Sequence, residues 1–590
     1  MTNNGKELDP ILVAVLDVRL MSICEEMGRA MMRTSRSPVF AEVRDFATAI
    51  FDKDLRLVAQ KDYIPILAGA LPVSIENMVP SYEGDINEGD IFIHNDCYTG
   101  NNHLPDVNVI KPVFYKGELV FWCAVKGHQI DIGGRGIIGY DPTAKTIWDE
   151  GLRIPTCKLF ERGKRNRAVW DLILSNVKVP KIVEGDLACE TGAVILGERS
   201  ILSLLDKYGR VQLYNIIDAI LSATEKEVRN KLGQIPDGVY LAQKSTDYDG
   251  IIKDKSVAVR TKVIKHGNEI TIDLSDSDPQ TPGYINSTYA NTVSACYLAL
   301  HAILGVGGEV KRNEGAQMPV KIIAPEGLVV NPSFPAPVVA STLVTAELIV
   351  ETIWMALSDA IPRWVQAAHG RVCRMGVIGF NPRTGRPFVN QDFFAAGGVG
   401  SGGTEGYDGW DEGGPLSTMG QLRKPDVEII ELSVPIRVLK YEQEPDRSGV
   451  GRWRGGNGTH YKAEYLASCQ GVMVGQGLKV FACPAGLLGG KSPPCAEVYL
   501  HRNMGQIEEL EVHTFHDIKE GDICEQHIMG GAGFGDPLER DTEKVQQDVR
   551  DSYVSVEAAA RDYGVVIDTE IFRVDVTATE KLRSKLKRVR

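Results

Sequence analysis

Residues 94–134, HNDCYTGNNHLPDVNVIKPVFYKGELVFWCAVKGHQIDIGG, place His103 and Asp106 three apart in NNHLPD and His128 further on in KGHQID. Two neutral imidazoles and a carboxylate suit Zn²⁺, Mn²⁺ or Fe²⁺ and leave coordination positions for water or substrate. A fourth ligand can come from Asp45 in EVRDF. His94 and Asp96 in HNDCY stand in reserve, as a further ligand, as partners that fix an imidazole tautomer, or as groups that move a proton. Taken singly, a histidine at a strand end more often belongs to a hydrogen-bonded loop, and an aspartate before a turn more often caps it. Their crowding into one stretch favours a metal site.

Such residues need elements that carry them to one point. The runs VNVIKPVFY and ELVFWCAVKGH flank the turn YKGE and predict a hairpin. GDIFIHND predicts a strand before it, and RDFATAIFDKDLRLVAQ an earlier hairpin around DKD. The histidines then fall at strand ends and in the connecting loop, where the start of one strand and the far end of a hairpin can converge. Ahead of these strands, residues 10–33 place Leu12, Leu16, Leu20, Ile23, Met27 and Met31 at helical spacing.

Further along, 196–233 reads as helical with a break near Gly209, 257–278 as strands around the turn HGN, and 288–305 and 343–361 as apolar helices. The stretch AAGGVGSGGTEGYDGWDEGGP, 395–415, is expected to run as a long loop over a site or between domains rather than pack a core. Short strands and turns fill 428–535, and the end is helical again. The expected fold is mixed α/β (α+β) and multi-domain, strand-rich at both ends with long helices between. Its expected parts are a metal-site domain (1–195), a central mixed domain (196–427), a β-rich domain (428–537) and a helical tail (538–590).

Composition narrows the function. With 590 residues, 43% hydrophobic and 24% charged, the chain is of ordinary globular type with room for several cores. A net charge of −13 argues against a nucleic-acid partner, since no basic stretch offsets it before the tail KLRSKLKRVR. No run of eighteen apolar residues and no apolar leader stand out, so no membrane partner and a cytoplasmic location are expected. The eleven cysteines are scattered without a CxxC pair and read as free thiols.

RDFATAIFD, HNDCYTGNNHLPDV, KGHQIDIGG, GRWRGGNG and GGAGFGDPLERD together resemble the hydantoinase B/5-oxoprolinase family, in the family's order and over nearly the whole chain. That family includes the B-type components of ATP-dependent N-substituted hydantoinases and lactamases and the related subunits of acetone and acetophenone carboxylases. The resemblance implies a division of labour. An A-type (HyuA-type) partner binds ATP with Mg²⁺ and phosphorylates a substrate, further small subunits can join, and the B-type component carries a divalent metal, Zn or Mn. It also implies the ligand set Asp45, His103, Asp106 and His128; beside it, His94 and Asp96 are the candidate catalytic residues, either of which can move a proton. Gln129 stands where oxoprolinase-type relatives carry a second histidine, and Trp122 and Tyr98 lie near the ligands in sequence.

Those two departures favour a ketone carboxylase using bicarbonate. The alternative is ATP-dependent hydrolysis of a cyclic amide (a hydantoin, a lactam or 5-oxoproline), and the third reading is a scaffold subunit with a structural metal. No GxxxxGK[ST] occurs, and GGVGSGG lacks the lysine and the preceding strand of a phosphate loop. The isolated chain is therefore expected to bind no ATP with micromolar affinity in calorimetry; a clear isotherm would put the nucleotide site on this chain.

Overall fold

The computed structural model describes residues 8–253, 255–308 and 310–589. The hairpins read from the sequence form and join one antiparallel sheet. Its strands are β1 (Phe46–Asp52), β2 (Leu57–Asp62), β3 (Ile91–His94), β4 (Asp106–Tyr115), β5 (Glu118–His128), β6 (Cys157–Glu161) and β7 (Lys164–Arg165), in the order β2-β1-β5-β4-β3-β6-β7. Lys116 and Gly117 close the β4–β5 hairpin with φ of 54° and 83°. Both lie in the left-handed region, as the two-residue turn that matches strand twist requires.

Helix Pro10–Thr34 starts with Asp9 accepting from the Ile11 N–H and with proline at its first position, then buries Leu16, Leu20, Ile23, Met27 and Met31. It packs with helix Pro180–Tyr208, which begins earlier than the sequence suggests and ends at Gly209 (φ 74°) before helix Arg210–Leu232. Gly197 lets the Pro180–Tyr208 helix approach closely: a Cβ there would lie 2.6 Å from Met27 Sδ and 2.8 Å from Cys123 Sγ. The helices thus cover the sheet face that carries Cys123. By strand alternation Trp122, Ala124, Lys126 and His128 face the other way.

The described chain divides into two compact units. The first gathers residues up to Gly139 with Ala144–Tyr240 and Lys262–Thr342, the second Tyr140–Thr143, Leu241–Thr261 and everything from Leu343 onward. In the first, Glu269–Asp273 pairs antiparallel with residues 262–266 and parallel with Val320–Ile323, and helix Tyr289–Leu304 is buried along most of its length. No helix among the described residues is long and apolar enough to cross a membrane.

The second unit holds a four-stranded and a five-stranded sheet around a core that includes Met375, Val377, Phe394, Tyr461, Met473, Leu500 and Cys524. Here the glycine-rich stretch departs from expectation. Residues 393–403 are buried, and three glycine-rich segments lace together by backbone hydrogen bonds: Gly400 N–H to Met529 O (3.2 Å), Gly456 N–H to Ser401 O (2.8 Å), Gly531 N–H to Gly456 O (2.9 Å) and Gly403 N–H to Ala532 O (2.9 Å). Main chain packs on main chain there, and glycine is the only residue that permits it. A Cβ on Gly531 would sit 1.9 Å from Ser401 O, and one on Gly402 1.8 Å from Ala367 O. Gly531→Ala is expected to destabilise the protein by roughly 1–3 kcal/mol or more, read as a lower thermal midpoint. Gly192→Ala, in a helix with nothing within 4 Å of the new methyl, should hold or raise that midpoint by up to about 1 kcal/mol. Equal midpoints for the two variants would contradict the lacing.

Candidate metal centre

Register builds the site. β4 and β5 pair so that Asp106 lies directly opposite His128 and Asn108 opposite Lys126, while β3 sets His94 opposite Asn108. These side chains share the face turned away from the helices. His103 reaches them from the loop before β4, which is closed by the Asp106 N–H to His103 O bond (3.1 Å). Asn101 pins that loop, its side-chain amide donating to the carbonyls of Asn95 (2.9 Å), His103 (2.8 Å) and Asp106 (2.6 Å).

The result is a tight triangle. His103 Nε2 is 3.0 Å from Asp106 Oδ1 and 3.1 Å from His128 Nδ1, and His128 Nδ1 is 3.0 Å from Asp106 Oδ1. All three residues are buried. On the outer side of the His103 ring, Nδ1 lies 2.7 Å from the Val339 carbonyl. An N–H donated there leaves a bare lone pair on Nε2, aimed at a carboxylate oxygen and at a second imidazole nitrogen. Lone pairs converge so closely only around a proton or a cation. Metal bonds of about 2.1 Å at right angles put neighbouring ligand atoms about 3.0 Å apart, so the spacing of the triangle would suit three ligands of one ion.

The Val339 carbonyl is itself held. Glu150, fully buried, accepts the backbone N–H groups of Val338 (2.6 Å) and Val339 (2.7 Å). Burial works against a charged His103, but Asp106, the Val339 carbonyl and the charge of Asp45 outweigh it and raise its pKa. Asp106 is held below the usual carboxylate range, burial being overcome by the two imidazoles.

Asp45 precedes β1, at the same end of the sheet. Its backbone carbonyl accepts the His128 N–H (3.0 Å), and its side chain is partly exposed and outside the triangle of ligand atoms. His94 is fully buried with no protein partner for either ring nitrogen among the described residues. Burial and the Lys126 ammonium push its pKa down to about 3, so the ring is neutral near pH 7. Asp96 caps a short turn through the Tyr98 N–H (3.1 Å) and pairs with Arg153 (2.7 Å).

Sequence reasoning passed over Lys126, Asn102, Glu150 and Val339. Lys126 is wholly buried, its Nζ donating to Asn102 Oδ1 (2.9 Å), and burial pushes its pKa down to about 7 against the pull of Asp106. A lysine inside the apolar run FWCAVKGH, two residues before a ligand and so on the same face, was the available signal.

The sequence matches the family model described as hydantoinase B/oxoprolinase over residues 9–537. It is 34% identical to the caprolactamase beta subunit of Pseudomonas jessenii, over 95% of this chain and 97% of that one. It is 31% identical to the B component of a putative D-/L-hydantoinase of Pseudomonas sp. (strain NS671), over 98% of each. Among solved structures, the ATP-dependent caprolactamase of Pseudomonas jessenii superposes with a TM-score of 0.90 at 33% identity, over 98% of this chain and 100% of that one. A nucleotide-free acetone carboxylase superposes with a TM-score of 0.91 at 18% identity, over 98% of this chain and 83% of that one, a likeness of fold.

His103→Ala or His128→Ala is expected to lose the ion of this centre in elemental analysis. Glu150→Gln, which loosens the Val339 anchor, should weaken it roughly 10- to 100-fold. Ligand nitrogens must be deprotonated, so affinity should fall as pH drops through the raised pKa of His103. Unchanged metal content in His103→Ala and His128→Ala would refute the assignment.

Proposed function

The chain belongs to the hydantoinase B/oxoprolinase family, and on that premise we propose that it is the metal-bearing subunit of an ATP-dependent enzyme that opens a cyclic amide ring. The observation that carries this reading is the buried His103–Asp106–His128 triangle, in a chain that aligns along nearly its full length with components of a lactamase and of a hydantoinase. An A-type partner would bind ATP with Mg²⁺ and activate the ring amide, since this chain carries no phosphate-loop motif.

His103, Asp106 and His128 would hold the ion, Zn or Mn, with Asp45 beside them as a further negative charge. The ion would supply Lewis-acid strength at the ring carbonyl. Glu150, through the Val339 peptide, keeps His103 in the tautomer that presents Nε2. Lys126, set by Asn102 and on the same face as His128, adds positive charge where negative charge develops on the substrate. His94 is a neutral imidazole on the same face, and with its pKa pushed down to about 3 it is suited to hydrogen-bond a reacting group rather than to hold a proton, whereas Asp96 is already engaged with Arg153 and the Tyr98 N–H.

Ketone carboxylation, favoured by the sequence alone, has less behind it. The relatives that align at 34% and 31% act on cyclic amides by name, while the carboxylase likeness stands at 18% identity and concerns the fold. Two of the residues that suggested a ketone are also engaged elsewhere: Gln129 faces the helix layer and donates to Glu190 (3.1 Å), and the Tyr98 hydroxyl donates to Ala336 O (2.6 Å).

Reconstitution with the A-type partner and ATP tests this reading. A lactam or hydantoin should be opened, with one ATP cleaved per ring, and Asp106→Asn should lower turnover on the order of a hundredfold or more. Labelled bicarbonate appearing in an acid from a ketone, with the rings left intact, would overturn the amide reading and restore the carboxylase.

A further inference from the structure

In the second unit, strands Thr459–Tyr465, Ile523–His527 and Glu497–His501 lie side by side, with Ile523–His527 in the middle. Pairing sets His460 opposite His527 and Lys462 opposite Glu525 on one side, and Tyr499 opposite Glu525 and His501 opposite Ile523 on the other. Strand alternation therefore brings His460, His501, His527 and Glu525 to one face.

Their ring nitrogens gather on one carboxylate. Glu525 Oε1 lies 2.7 Å from His460 Nε2 and 3.9 Å from His527 Nε2, and Oε2 lies 2.5 Å from His501 Nε2. The His460 and His527 rings stack at 4.4 Å. Behind His527, Nδ1 is 2.9 Å from both oxygens of Glu444, which Arg447 Nε contacts at 3.1 Å. A carboxylate that accepts the Nδ1–H hydrogen bond fixes the tautomer whose lone pair lies on Nε2, the side facing Glu525; that arrangement is the usual support of a metal-bound imidazole. The four side chains are 13–28% exposed, sheltered yet within reach of an ion from solvent.

A salt-bridge network would account for these contacts one at a time, and Lys462 does pair with Glu525 at 3.1 Å. It would not account for three imidazoles surrounding one carboxylate, nor for a second carboxylate set to orient one of them. His460 and His527 offer two nitrogens and Glu525 one oxygen, all within 4.8 Å of one another, a ligand set that suits a zinc-type ion, while His501 holds the other oxygen of the carboxylate.

We propose that His460, His527 and Glu525 bind a divalent transition metal of the zinc class, as a site additional to the His103–Asp106–His128 centre, with His501 orienting Glu525, and that the ion ties the strands Thr459–Tyr465 and Ile523–His527 together. The test uses full-length protein stripped with a chelator and titrated with Zn²⁺, bound metal being counted after dialysis, and with Co²⁺ for its visible absorption. Wild type should take up about two equivalents per chain. A His460→Ala/His527→Ala double variant should take up about one, held at the first centre, and His103→Ala should keep the other. Glu444→Gln leaves all three ligands in place and should weaken only the second equivalent, by roughly 10- to 100-fold. One equivalent in wild type that vanishes in His103→Ala would overturn the proposal. So would a second equivalent that neither the double variant nor Glu444→Gln alters.

Discussion

The antiparallel register of β4 and β5 is the constraint on which the candidate centre depends. Because Asp106 faces His128 across the pair, two ligands arrive as neighbours without any loop having to search for the geometry. A slip of one residue would turn His128 toward the helices and break the set. The turn at Lys116–Gly117 and the bulge between Val113 and Phe114 together fix that register from one end, and Gly197 lets the helix layer clamp the other face. The same register gathers His94, Asn108 and Lys126 into a buried polar patch, which is costly unless its members find partners. The long apolar remainder of the hairpin offsets that cost.

What the sequence displayed was local. The first helix, both hairpins, the helix break at Gly209 and the grouping of His103, Asp106 and His128 each rest on signals spanning a few residues, and the structure contains them. The outer support was not legible. Val339 contributes a carbonyl, which any residue type has, and lies 236 residues from His103. Gln129 shows the opposite difficulty: adjacent to a ligand in sequence, it points to the other face, so nearness along a strand misleads where the side-chain period is two. Nor does composition reveal that residues 262–342 join the first unit.

The glycine-rich stretch misled for a physical reason. Glycine in a mobile loop and glycine in close-packed main chain look alike in composition, since both lack a side chain. The informative feature was recurrence: three such segments, 395–403, 451–458 and 530–535, carry complementary backbone donors and acceptors. Where unpaired peptide groups are buried together, satisfying them is an obligation, and mutual lacing meets it without side chains.

The bond from His103 to Val339 also sets an order of events. On a growing chain, the hairpin with Asp106 and His128 is complete long before the segment around Val339 exists. Until that carbonyl docks, the proton on the His103 ring has no fixed acceptor and can sit on either nitrogen, so the third ligand is presented only part of the time. On the proposed reading, tight metal capture would wait until most of the first unit has been made, and an ion met too early would find two ligands and an undecided third. The timing of metallation would then be written in the distance along the chain between an imidazole and a peptide oxygen that arrives 236 residues later.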